Sequence, residues 1–282
     1  MKEIIKLLKK PEMSILPGQI AFFLTLSIVP IIALLGVLAT FFSISLDIIT
    51  DFIKGNFPTD VSDYVILLIA QKGNRINFIL FSLLTLLIAS NGIHSIVVAA
   101  NSLYGKVANK GFFARRIKAL SLTVVLLVLF IFIFAVPAFG DKIFSIYQNS
   151  DYFLGSIAVQ VALFYLILKW PISFFLIYFT IKLIYTIAPD KNVGSKNVTI
   201  GAIITSFLWI VITMLYSYYI NNIASYDILY GSLSNIVILM LWIYLLSASL
   251  VFGMLINYNL FQKIEEYKLE QTAKIKVIKK DS

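Results

Sequence analysis

Apolar residues in this chain gather into long runs that short polar and charged stretches interrupt. The run from Gly231 to Leu260 carries no charged residue and exceeds the ~20 residues that a helix needs to cross a bilayer. At about 100° per residue, Asn235, Trp242, Ser249, Gly253 and Asn257 fall on one stripe of that helix, and Leu and Ile cover most of the rest. A stripe of small and polar residues on an apolar helix is a surface for neighbouring helices. The same pattern along the chain predicts an all-α integral membrane protein with six transmembrane helices. Their expected extents are 18–46, 77–101, 120–140, 153–187, 198–223 and 231–260.

The stretches between these spans are uneven. Residues 1–17 mix lysines with Ile4, Ile5, Leu7 and Leu8, which predicts a cytoplasmic interfacial segment with no cleavable signal pattern. Residues 47–74 are too long for a plain turn and predict two outer amphipathic helices broken at Pro58. The stretch 153–187 would serve as one kinked crossing, broken near Lys169, Trp170 and Pro171, or as two short segments in a hairpin. Two full crossings would carry the basic tail, 262–282, to the outer face, so one crossing is preferred. The organisation is thus an interfacial segment (1–17), a membrane domain (18–261) and a basic cytoplasmic tail (262–282).

Composition sharpens the picture. The chain is 60% hydrophobic, with a mean hydropathy of +0.93, beyond an ordinary soluble domain. With the spans placed, 18 of the 23 Lys and Arg fall on one side. The positive-inside rule then puts both termini on the cytoplasmic side. The formal charge of +9 reflects orientation and attraction to anionic headgroups, without any need for nucleic acid. Membrane phospholipids are the implied partners, and Arg115 and Arg116 are placed to meet inner-leaflet phosphates.

Several chemistries drop out. The chain has no cysteine and a single histidine, which removes thiolate chemistry and a histidine metal cluster. No glycine-rich phosphate loop speaks for ATP. Metal-dependent RNA cleavage needs several carboxylates or histidines around divalent ions, and here they are scattered. Neither Ser27 nor Ser249 has a histidine at a recognisable catalytic spacing. No catalytic residue, cofactor or metal ligand is expected.

Polar side chains inside spans are costly and point to packing or function. Asn91, His94 and Asn101 share a face of the second span, where His94 suits an interhelical hydrogen bond or a proton- or ligand-binding role. Lys169 is the only basic residue at depth, and no acidic residue lies in any span. Its partner must be backbone carbonyls, water, an Asn or Tyr, or an anionic ligand. Asn91, His94, Lys169, Asn235 and Asn257 are predicted to converge on one hydrated cavity. Pro30 predicts a kink whose freed carbonyl a nearby Ser or Thr satisfies.

These features resemble the YihY/BrkB family of bacterial inner-membrane proteins, once labelled ribonuclease BN-like, over roughly residues 15–262. The family's early Ser-x-x-Pro is matched by Ser27 and Pro30, and its fourth span by Lys169, Trp170 and Pro171. Tyr185 and Pro189 match the exit of that span, with Asp190 where the family usually has Asn. Gly201, Ala202, Trp209, Tyr226, Tyr230, Gly231, Ser232, Trp242, Tyr244 and Gly253 complete the likeness. The family's closing Gly-Ala-Glu-x-Asn run is here Gly253 to Asn257 without its acid, so no mechanism through that carboxylate fits this chain. Together these readings imply a membrane protein that moves or organises a lipid or other amphipathic substrate without ATP. The alternative is a scaffold of the cell envelope.

Overall fold

The computed structural model describes residues 9–41, 75–105, 111–129, 155–222 and 230–280, with isolated positions 6, 50, 54, 66 and 226. Side chains are described over a narrower set that omits, among others, 37–41, 75–79, 155–170 and 272–280. Helices dominate: α1 (Pro11–Phe41), α2 (Arg75–Tyr104), α3 over 112–129, α4 (Gly155–Ile187), α5 (Thr199–Asn222) and α6 (Ser234–Lys280). A short 3-10 turn, Gly231–Leu233, leads into α6.

Against the six expected spans, four helical stretches among the described residues are long and apolar enough to cross a membrane: Pro11–Gly36, Ser82–Tyr104, Thr199–Ile220 and Ser234–Gln271. The described side chains of α4 supply a shorter apolar run, Pro171–Ile187. The third expected span is described only as far as residue 129. The amphipathic helices expected within 47–74 lie outside the described residues, apart from three single positions.

Local rules explain where the helices start and stop. Pro11 opens α1, where its missing N–H would have had no intrahelical partner. Residues 11–17, expected as part of a separate interfacial segment, are therefore continuous with the first span. The helix also runs through Pro17 and Pro30. Pro30 leaves the Leu26 carbonyl without its helical N–H, yet Ser27 Oγ donates to the Phe23 carbonyl at 2.8 Å and Thr25 Oγ1 to the Ala21 carbonyl at 2.8 Å. Neither hydroxyl serves the freed carbonyl as expected. Gly105, at φ +84°, ends α2 in the left-handed conformation that glycine adopts without a side-chain clash.

Contacts between helix ends define one end of the bundle. Lys10 Nζ donates to Asn259 Oδ1 at 3.4 Å and lies 5.4 Å from the centre of the Tyr258 ring. Tyr104 packs edge-on against Tyr258 and Phe261. Arg115 and Lys118 meet Asp190, and Lys191 pairs with Glu265 at 2.9 Å. The starts of α1, α3 and α5 and the ends of α2 and α4 thus gather beside residues 257–265 of α6. The helices form three out-and-back pairs.

The main core lies toward this same end and includes Ile20, Val97, Leu122, Ile181, Val198 and Leu255. Away from it, Leu83, Leu84, Phe207 and Leu215 are exposed, the distribution of a bundle whose outer surface meets lipid. Lipid tails are as apolar as these side chains, so helix association rests on close packing and hydrogen bonds.

Candidate functional site

The gathered end is built around one carboxylate. Asp190 stands in the turn after α4, and its carboxylate is fully buried. Arg115 Nε donates to Asp190 Oδ2 at 2.7 Å, and Lys118 Nζ to Asp190 Oδ1 at 2.7 Å. Lys118 also donates to the carbonyls of Ala188 (3.3 Å) and Pro189 (3.0 Å), which closes the C-terminal end of α4. From α2, Asn101 Oδ1 accepts the Asp190 backbone N–H at 2.7 Å, and its Nδ2 is buried without a partner. Burial alone would raise the Asp190 pKa, but hydrogen bonds and charge from Lys118 and Arg115 outweigh it and hold the carboxyl below its ordinary range. Three helices are tied at this point.

Arg116, one residue on, turns the other way. Its Nη1 donates to Asn91 Oδ1 at 2.8 Å and its Nη2 to the Leu87 carbonyl at 2.6 Å, both on α2. Neither partner is charged. Asn91 and His94 lie three residues apart on one face of α2, and the His94 ring packs edge-on against Phe112, with centroids 6.2 Å apart. His94 Nδ1 is buried and has no partner. Around these polar groups Leu84, Leu87, Ile88, Phe112, Phe113 and Ile117 are all exposed.

A second polar feature runs along α5 and α6. Asn257 Oδ1 accepts the Gly201 N–H at 2.9 Å, and Thr205 Oγ1 donates to the Ser249 carbonyl at 3.3 Å. Trp209 Nε1 donates to the Leu246 carbonyl at 3.1 Å, Trp242 Nε1 to Thr213 Oγ1 at 3.2 Å, and Tyr216 OH to the Ile238 carbonyl at 2.7 Å. On α5 these positions recur every three or four residues, so they form one seam on antiparallel neighbours. Tyr185 of α4 joins it, donating to the Leu250 carbonyl at 2.7 Å, with its hydroxyl 2.7 Å from Thr205 Oγ1, whose single proton serves either Tyr185 or the Ser249 carbonyl. A side chain at Gly201 would strike Asn257 and the Gly253 carbonyl, and one at Gly253 would strike Thr205 and Tyr185. Glycine is needed here because the backbones touch.

The family model described as "Virulence factor BrkB" matches residues 4–276. The chain belongs to the BrkB family. It is 27% identical over 253 residues to a "Putative ribonuclease-like protein YfkH" of Bacillus subtilis, covering 87% of this chain and 89% of that protein. A UPF0761 membrane protein of Idiomarina loihiensis is 34% identical over 89 residues, covering 32% of this chain and 30% of that one. One of Pasteurella multocida is 28% identical over 106 residues, covering 38% of this chain and 32% of that one. No solved structure matches. With family and architecture in place, the chain is a multi-pass protein of the inner membrane. Among the described residues no group of three or more His, Asp or Glu could hold a metal ion.

The BrkB motif residues take structural places. Ser27 accepts the Gly92 N–H at 2.9 Å where α1 crosses α2. A Cβ on Gly92 would come within 2.8 Å of Leu24 and 3.0 Å of Ser27, so this crossing too depends on glycine. Tyr185, Trp209, Trp242 and Gly253 belong to the α5–α6 seam, and Pro189 lies buried in the Asp190 turn. Tyr230 stacks on Tyr226, and Gly231, at φ +53°, makes the turn into α6. Pro171 is exposed within α4.

The residues expected around one cavity are distributed. Asn91 and His94 come together beside Arg116, whereas Asn257 joins Gly201 in the seam. Asn235 is exposed near the start of α6, about 33 Å along that helix from Asn257. Lys169 lies on the α4 backbone, and its side chain is outside the described residues. Of the two arginines expected at lipid phosphates, Arg115 is bound to Asp190 and Arg116 lies among exposed apolar side chains. The Asp190 centre was not predicted. Its one signal was Asp190 itself, standing where the family usually has Asn.

Proposed function

We propose that this BrkB protein moves or organises a phospholipid, or another amphipathic molecule, within the inner membrane without nucleotide hydrolysis. The observation that carries the reading is Arg116. A guanidinium set against exposed apolar side chains, with neutral hydrogen-bond partners and no carboxylate in ion-pair range among the described residues, calls for an anion from the lipid phase. In this reading the three out-and-back helix pairs are six crossings. The 18 cations expected on one side support a cytoplasmic position for both termini and for the Asp190 end. Lys169, at the middle of the α4 backbone, is the second residue the reading puts to the test.

The test is leaflet exchange of a fluorescent phospholipid in liposomes holding the full chain. Exchange above protein-free vesicles, reduced at least several-fold in Arg116→Gln and in Lys169→Ala, is the expected result. Folded protein that gives no exchange with any headgroup sinks the transport reading. A scaffold role has one observation in its favour: Tyr267 and Leu269 are exposed on the part of α6 beyond the bundle. Under that reading both variants leave envelope integrity unchanged, and truncation of the tail impairs it.

A further inference from the structure

Residues 112–118 of α3 bring three cations, Arg115, Arg116 and Lys118, to the gathered end of the bundle, and one carboxylate, Asp190, meets two of them in ion-pair range among the described residues. Arg115 and Lys118 share that carboxylate, each at 2.7 Å, so their pairing already leaves a surplus of one positive charge. Arg116 adds a second. It uses two of the five N–H donors of a guanidinium, at Asn91 and Leu87, which leaves three for another acceptor. Next to it stands His94, whose buried Nδ1 lacks a partner. Arg115 and Arg116 are both within electrostatic reach of that ring.

The surroundings restrict what can bind there. Leu84 and Ile88 on α2 and Phe113 and Ile117 on α3 are more than half exposed, and Phe113 reaches 80%. In an aqueous site such a rim would be unfavourable; in a membrane it suits acyl chains. A ligand matched to the whole site carries a phosphate for the guanidinium and hydrocarbon for the rim. A surplus of two charges further favours a headgroup with net negative charge over a zwitterion, whose own cation would meet the same field.

Resting on the lipid-handling reading above, we propose that Arg116, Asn91 and His94 form a subsite for the phosphodiester of an anionic phospholipid drawn from the surrounding leaflet. Arg116 supplies the fork to the phosphate. Asn91 holds that fork in place, and the apolar side chains around it receive the acyl chains. Asp190 neutralises one of the two cations beside it and keeps both turned away from the lipid side, so the headgroup meets Arg116 first.

The test measures retention of phosphatidylglycerol against phosphatidylcholine by the full-length protein in mild detergent, with inorganic phosphate as competitor. Wild-type protein should retain phosphatidylglycerol about tenfold or more over phosphatidylcholine. Arg116→Gln should lose most of that preference. Arg116→Lys, which keeps the charge but not the fork, should retain part of it. Lys196→Gln, an exposed cation in the turn before α5, should behave as wild type. The wild-type comparison needs no variant, so the proposal stays testable if Arg116→Gln fails to fold. Equal retention of the two lipids overturns it. So does an unchanged preference in folded Arg116→Gln. Displacement of the lipid by millimolar inorganic phosphate would make this a site for a free anion and overturn the lipid assignment. Leaflet exchange without headgroup preference would leave the proposed function standing and remove this subsite. Headgroup preference without exchange would support the subsite and count against transport.

Discussion

Replacing Asp190 by Asn would keep the shape of the side chain and remove the charge that Arg115 and Lys118 share. Leaving buried cations without their partner costs about 3–5 kcal/mol, and the partial exposure of both cations, 18% and 17%, favours the lower end. A clear fall in melting temperature in mild detergent near neutral pH is the expected result. The pH dependence has a definite sign. The folded carboxyl titrates below its ordinary range, so its contribution is complete above about pH 4 and is lost as pH falls through the lower folded value. The gap in melting temperature between wild type and Asp190→Asn should therefore narrow on acidification; a gap that widens would contradict the assignment. At this scale the sequence was only partly legible. Arg115 and Arg116 could be read as a basic pair near the membrane surface. That one is taken by a carboxylate 75 positions away depends on which helix ends fold side by side, and neither periodicity nor charge count encodes that.

Among the helices, the α5–α6 seam makes the sharpest prediction. Gly253→Ala would drive a methyl group into Thr205 and Tyr185, where the backbone of Gly201 lies opposite. Overpacking of this kind typically costs about 1–3 kcal/mol. A lowered melting temperature is expected, whereas alanine at Gly194, whose Cβ would meet only Asn197 Nδ2 at an ordinary 3.8 Å, should be nearly neutral. Equal stability of the two variants would argue against close packing at Gly253. The seam was legible as a stripe, because Trp242, Ser249, Gly253 and Asn257 recur with helical spacing in an otherwise apolar run. Its partner was not, because the small residues and tyrosines of α5 are spread among large apolar ones and suit several packing faces. Asn235 fits the same spacing yet is exposed, since periodicity extends a face past the point where contact stops. The start of α1 was misplaced for a related reason. Pro17 reads as a boundary in sequence, but packing across Leu16 and Ile20 keeps that turn helical.

For the molecule as a whole, the gathered helix ends predict sidedness. The chain has no cysteine, so single cysteines at Gly111 and Gly194 can be labelled without background. Both should react with a membrane-impermeant thiol reagent only from the cytoplasmic side, and one at Asn222, exposed at the end of α5, only from the outside. Labelling of Gly111 and Gly194 from opposite sides would break the out-and-back arrangement. The number of apolar runs made the all-helical membrane class legible, while their pairing became visible only through contacts such as Lys10 with Asn259 and Lys191 with Glu265. The last helix has a mechanical consequence. α6 is one unbroken rod of 47 residues, about 70 Å long, more than twice the hydrocarbon thickness of a bilayer. With no proline or glycine after Gly253, it has no hinge where the tail leaves the bundle. It acts as a lever arm: a tilt of about 10° within the membrane would sweep a point ~30 Å beyond the pivot through ~5 Å. A sub-helical adjustment around Gly201 and Gly253 would thereby reach the far end of α6 as a displacement larger than the spacing of adjacent Cα atoms.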